Sequence, residues 1–277
     1  MLADQLGRRI KRLASRLYAL KQAKDQLTGF VFPQRVTFLC LSDRLLAAPS
    51  VRSYARGCPR IYHWAYSPLD DPFRDNSEFS FLSPLPTSPE PTHLFLASHS
   101  RSEQHVLVKL VQDNYGVQVH KTLARAGLAP ILYGFAHRYE LPTAYVMEYL
   151  PPPNTDTGWI TLHEYTGSQQ MPPEKRPELI KASLDNILRV LSTNSMVRGD
   201  LRPNNIMIHV DPDMNPVLDA TGVVLKVVDF DWAGTQGQVR YPVLRNDAWK
   251  WPAKINEPIV AGMDRQLVDD WWNKMQG

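Results

Sequence analysis

Three oxygen-bearing side chains stand out for their type and spacing: Asp200 and Asn205 in the run Arg198-Gly199-Asp200-Leu201-Arg202-Pro203-Asn204-Asn205, and Asp229 in the later Val227-Val228-Asp229-Phe230. Moving a phosphoryl group asks little covalent chemistry of a protein. It needs metal ions to neutralise the phosphate oxygens and a carboxylate to orient the attacking hydroxyl and accept its proton. Asp200 suits the second task. Asn205 and Asp229 suit the first, because hard divalent cations prefer oxygen ligands and Mg2+ takes only one or two carboxylates beside substrate phosphates. A tight loop between Asp200 and Asn205 lets both side chains point into one site.

The pattern around these residues gives the elements that must hold them. His93 to Ala97 and His105 to Val111 (HVLVKLV) read as strands joined by a polar turn. Residues 115 to 126 carry apolar positions at helical spacing, with Gly127 placed to end the helix. Ile131 to Phe135 and Ala144 to Leu150 read as two more strands, and Pro151-Pro152-Pro153 stops pairing because proline lacks the donor. A helix from Pro177 to Leu191, a short strand Ile206 to Val210, a turn at Asp211-Pro212-Asp213 and a strand Val223 to Phe230 follow. The order predicts an α+β arrangement in two lobes, β-rich and then helical, with a cleft where small ligands bind. Its segments are a basic helix at 1–29, an irregular Pro/Ser-rich region at 30–92, a β-rich lobe at 93–150 and a shortened helical lobe at 151–277. From Ser67 to Ser102 the recurring Pro, Ser and Asp predict loop.

Composition bounds the rest. The chain has 277 residues, 43% of them hydrophobic, and a formal charge of +3, which is too even a balance to argue for nucleic acid. Cys40 and Cys58 make neither a disulfide framework nor a metal-ligand spacing, so the expectation is an intracellular protein, cytoplasmic or nuclear. No apolar run has the length of a membrane-spanning helix. In residues 1 to 29, Leu6, Ile10, Leu13, Leu17 and Leu20 share one helical face amid many Lys and Arg. Such a segment suits a mitochondrial presequence, a membrane-surface helix or a partner-binding helix, and the plainer reading is a helix that packs on its own domain.

From Leu94 to Pro242 the sequence resembles the protein-kinase-like superfamily. More narrowly, it is similar to small fungal protein-kinase-like domains with a G-D-L-R-P-N-N loop and a D-F-D-W-A-G segment. The resemblance implies ATP and Mg2+ as cofactors. It implies that Asp200 is the catalytic aspartate, with Arg202 near the γ-phosphate, and that Asn205 and Asp229 hold metal. It further implies that Lys109 contacts the α and β phosphates, that Gln118 stands where a glutamate would pair with that lysine, and that Met147, Glu148, Tyr149 and Leu150 receive the adenine ring. The expected activity is transfer of the γ-phosphoryl group to a hydroxyl, Ser or Thr of a protein.

Several positions depart from the family's pattern. No glycine lies between Cys58 and Tyr115, so the glycine-rich phosphate loop is missing or replaced; Arg198 stands in place of a histidine and Asp231 in place of a glycine. A neutral Gln118 cannot give Lys109 a charge-assisted bond. These departures support a second reading, a pseudokinase acting as a binding or scaffold module. The short helical lobe supports a third, a small-molecule kinase of the aminoglycoside or choline type. Asp231 reads as a solvent-exposed strand-end residue or a third acid at the metal site, His120 as a packed, hydrogen-bonded histidine, and Trp249, Trp251, Trp271 and Trp272 as lobe packing or a partner surface.

Overall fold

A computed structural model describes residues 66–68, 79–85, 93–99, 103–112, 114–136, 142–153, 156–167, 176–220, 222–243 and 245–276. The chain divides into 1–60 and 61–277, and every described residue belongs to the second unit. The basic segment 1–29 and both cysteines therefore lie outside the described residues.

Strands β1 (Tyr66–Pro68), β2 (Phe79–Pro84), β3 (Leu94–His99) and β4 (His105–Val111) come first, followed by helix α1 (Val117–Arg125) and strands β5 (Leu132–Ala136) and β6 (Thr143–Glu148). The six strands form one antiparallel sheet in the order β1-β5-β6-β4-β3-β2. β4 is central; its alternation buries Val106 and Val108 on one face, and Val111 is buried on the other with Leu132, Tyr145 and Met147. Lys109 lies beside Leu94 on one neighbour and Tyr145 on the other. β4 begins and ends where the alternation predicts. β1 and β2, by contrast, come from a stretch whose prolines predict loop. Both are edge strands with their proline at the last position, where a missing N–H costs the sheet no central ladder bond.

After the sheet come β7 (Gly158–Thr161), a short helix α2 (Leu162–Thr166), helix α3 (Pro177–Thr193) and β8 (Met196–Val197). A 3-10 turn at Pro203–Asn205 leads into β9 (Ile206–Val210), then β10 (Leu218–Asp219), β11 (Gly222–Val223), β12 (Leu225–Val227), β13 (Gly234–Thr235) and helix α4 (Ala261–Gln276). α2 opens on a capping box in which Thr161 and Glu164 satisfy each other's backbone N–H. β7, β9 and β12 make a three-stranded sheet that carries the loop residues into place. The strand expected over Val223 to Phe230 is in fact two short pieces that end before Asp229. Asp229 has φ +62°, a left-handed conformation that no strand accommodates.

One apolar core joins α1, α3 and α4 to β9 and β12, through Leu123, Ile180, Leu184, Ile187, Leu191, Ile206, Ile208, Leu225 and Val227. α4 contributes Leu267, Val268, Trp271 and Trp272, all at most 7% exposed. Truncating any of the fully buried aliphatic residues in such a core costs about 2–5 kcal/mol. The sequence expectations include no helix at α4, only its tryptophans Trp271 and Trp272.

Candidate active site

The loop Arg198 to Asn205 is held from below by α4. The Asp264 carboxylate, 2% exposed, accepts the backbone N–H of Arg198 at 2.7 Å and of Gly199 at 2.8 Å. Trp271 donates its indole N–H to the Leu201 carbonyl at 2.8 Å. Burial pushes the Asp264 carboxyl up to about 6, against the pull of the two N–H bonds and the Arg198 charge. Gly199 itself has φ +79°, and a Cβ there would lie 2.8 Å from the Ile259 side chain and 3.1 Å from the Trp232 carbonyl. The glycine is therefore required twice over, by conformation and by space. Asp264 escaped the sequence reading because it belongs to no motif. A signal existed: Asp264 shares its helix face with Leu267, Val268 and Trp271, and an acid on a buried face needs a partner.

Within the loop, Arg202 forks onto Asp200. Its Nε and Nη2 donate to the two carboxylate oxygens, the second at 2.8 Å. The same guanidinium lies over the rings of Trp249 and Trp251, at 5.4 Å and 5.1 Å from their centroids. Asp200 is buried at 5% exposure. The Asn205 amide donates its Nδ2–H to the Asp200 carbonyl at 3.1 Å, and its own backbone carbonyl accepts the Val228 N–H at 2.9 Å. The first bond tightens the loop and the second joins it to the segment carrying Asp229.

Lys109 reaches the same segment from β4. Its Nζ lies 2.6 Å from Asp229 Oδ1 and 2.6 Å from Asp231 Oδ1. Partial burial pushes the Asp229 carboxyl up, but the charges of Lys109 and Arg198 outweigh this and hold it down at about 2. Asp231 moves the other way, raised by burial and by the negative charge of Asp229 with only partial relief from Lys109. Two corrections follow. Gln118 is exposed on α1, and Lys109 is held by carboxylates from another part of the chain. Asp231, although its side chain keeps more than a third of its surface exposed, is a direct partner of that lysine.

Behind the two carboxylates runs a column of rings. Phe230 stacks on His120 at 4.3 Å and 9°, Arg198 lies over Phe230 at 5.5 Å, and Tyr115 stacks on Tyr145 at 4.0 Å. His120 is fully buried, as its packed reading expects. Its Nε2 faces the Pro130 carbonyl at 2.8 Å, an acceptor only, so Nε2 carries the proton and Nδ1 accepts from the Tyr115 hydroxyl at 2.7 Å. Burial, with the Arg198 and Lys109 charges adding to it, lowers the imidazole to about 4, against the hydrogen bond to Pro130. The Gly116 N–H donates to the Phe230 carbonyl at 2.9 Å, and a Cβ on Gly116 would lie 2.6 Å from Ala233. The start of α1 thus docks directly on the Asp229-Phe230-Asp231 turn.

The segment Met147 to Leu150 closes β6. Met147 is buried with Val111, Leu132 and Tyr145, and Leu150 is half-buried. Tyr149 meets His105 edge to face at 6.4 Å. The Glu148 carboxylate binds Lys226 of β12 at 2.7 Å and accepts the Ile131 N–H at 2.9 Å. Trp271 and Trp272 pack in the core, while Trp249 and Trp251 are half-buried and meet the Arg202 guanidinium.

Among the described residues no three His, Cys, Asp or Glu side chains form a metal-binding group, and no helix is long and apolar enough to cross a membrane. Asp229 and Asn205 offer a carboxylate and an amide oxygen, donors of the kind a hard cation takes. No protein-family model matches the sequence, and no curated protein is significantly similar to it. Among solved structures, the chain is similar to the kinase PK-1 of the Cydia pomonella granulovirus at 14% identity and a TM-score of 0.48, over 77% of this chain and 69% of that one.

Proposed function

We propose that the protein is a protein-kinase-like, ATP-dependent phosphotransferase that carries the γ-phosphoryl group to a hydroxyl, Ser or Thr of a protein, between a β-rich and a helical lobe. The observation carrying this reading is the convergence of Lys109 on Asp229, from a central strand to a turn 120 residues away, beside the Asp200–Asn205 loop. A cation and three oxygen-bearing side chains gathered at one place are what phosphoryl transfer requires and what a merely structural ion pair does not. Asp229 and Asn205 would hold Mg2+, which would neutralise the phosphate charge.

The remaining work falls to the chain's own residues. Lys109 turns from Asp229 to the nucleotide phosphates. Arg202 moves from Asp200 to the γ-phosphate, and this frees both Asp200 oxygens to accept the proton of the attacking hydroxyl. Asp264 and Trp271 keep the loop fixed while these exchanges occur, and Met147 to Leu150 border the adenine. A positioned base contributes about 10²- to 10⁴-fold in rate. Turnover of γ-labelled ATP to water or to the protein itself needs no knowledge of the acceptor. Asp200→Asn should lower that turnover by about 10²-fold or more with ATP affinity unchanged, and equal turnover in the variant would end the assignment.

A scaffold reading has one specific observation in its favour: Arg202 occupies both oxygens of the would-be base. ATP binding without any turnover by the unaltered protein is the result that would select it.

A further inference from the structure

Lys109 needs a fixed direction if it is to meet a phosphate, and α1, which faces the sheet, offers it no acid. The first turn of that helix has no acidic residue, Gln118 is exposed, and the inward positions are Val119, His120 and Leu123. The carboxylate comes instead from the turn after β12. Asp231 places Oδ1 2.6 Å from Nζ, matching the Asp229 contact. Lys109 is only 12% exposed, so its charge needs such a partner.

The two acids are not equivalent once nucleotide enters. On the proposed function, Asp229 turns to the metal, and Lys109 would then be left with Asp231. Asp231 is well placed to stay. Its backbone follows Phe230, which is clamped by the stack on His120 and by the Gly116 hydrogen bond. We infer that Asp231 is the positioning residue for Lys109, a counter-ion built into the Asp-Phe-Asp turn that takes over the role a helix glutamate would otherwise fill. This inference rests on the reading of the site as a nucleotide site. It assigns Asp231 to the lysine, and not to the metal.

The test is a double-mutant cycle on nucleotide affinity, measured calorimetrically on the full chain with ATP and with adenosine, in Mg2+ and in chelator. Asp231→Asn should weaken ATP about tenfold, a change of about 1.4 kcal/mol. Adenosine, which has no phosphate for Lys109 to meet, should bind as before. In the Lys109→Met background the same substitution should have no further effect, because the residue acts through the lysine. Asp231→Glu should recover most of the lost ATP affinity, and this arm stands even if Lys109→Met does not fold. An Asp231→Asn loss that persists in Lys109→Met and appears only with Mg2+ would make Asp231 a metal ligand and overturn the inference. So would wild-type affinity in Asp231→Asn. If the unaltered protein binds neither ATP nor adenosine, the site reading itself falls, which is a distinct result.

Discussion

Lys109 and Arg202 are neutralised in opposite ways. The carboxylates that hold Lys109 are 120 and 122 residues further along the chain, whereas the one that holds Arg202 is two residues back. A pair two residues apart can form wherever the loop forms, so it reports little about the fold. A pair whose intervening chain contains β5, β6 and the helices α1, α2 and α3 exists only when the two halves of the site have met. The lysine contact therefore belongs to the architecture, whereas the arginine contact is a local clasp which, on the proposed function, substrate must open.

The comparison breaks first at the base. Asp200→Asn should cost about 10²- to 10⁴-fold in turnover while leaving the melting temperature close to that of the unaltered protein, since the Arg202 clasp is local. A large loss of stability in this variant would mean that the local pair is structural after all.

The support beneath the loop comes next. Asp264→Ala leaves two buried N–H groups without an acceptor and should destabilise by about 2–5 kcal/mol in urea unfolding. Asp264→Asn keeps one acceptor and should cost less.

The pH dependence has its own sign at each group. His120 is lowered from its ordinary value to about 4, so its contribution is present at neutral pH and is lost as pH falls from about 6.5 to 4. For this fully buried ring that amounts to roughly 3 kcal/mol. Asp264, raised to about 6, opposes it: its contribution is present below about pH 4 and lost as pH rises through 6. His120→Gln, which can keep both hydrogen bonds, should flatten the fall in stability between pH 6.5 and 4. An unchanged slope would contradict the buried neutral imidazole.

The smallest effects sharpen the lysine side. Lys109→Met leaves Asp229 and Asp231 facing each other, and because both are more than a third exposed the loss should be only about 1 kcal/mol. Gln118→Glu should leave ATP affinity and stability unchanged, because an exposed side chain on α1 does not reach Lys109. A gain in turnover from that substitution would return the counter-ion to the helix.

How far the sequence could be read depended on whether the signal was local. β4 and β9 begin and end where alternation places them, because one buried face fixes a strand's register. The Asp200–Asn205 bond is local, five residues apart, and so follows from a tight loop that the sequence shows. The pairing of Asp231 with Lys109 was not legible because sequence spacing does not bring the two near. The edge strands β1 and β2 were hidden by their terminal prolines, whose cost depends on sheet position and not on sequence. Asp264 required the contact between α4 and a loop more than sixty residues earlier.

Thermal melting with and without ATP, in Mg2+ and in chelator, beside Asp229→Ala tests the account most directly. It predicts stabilisation by ATP that requires Mg2+ and is lost in Asp229→Ala. At about 1 mM ATP, the upper range of ordinary substrate affinities, an unmoved melting temperature, or an equal shift in the variant, would contradict it.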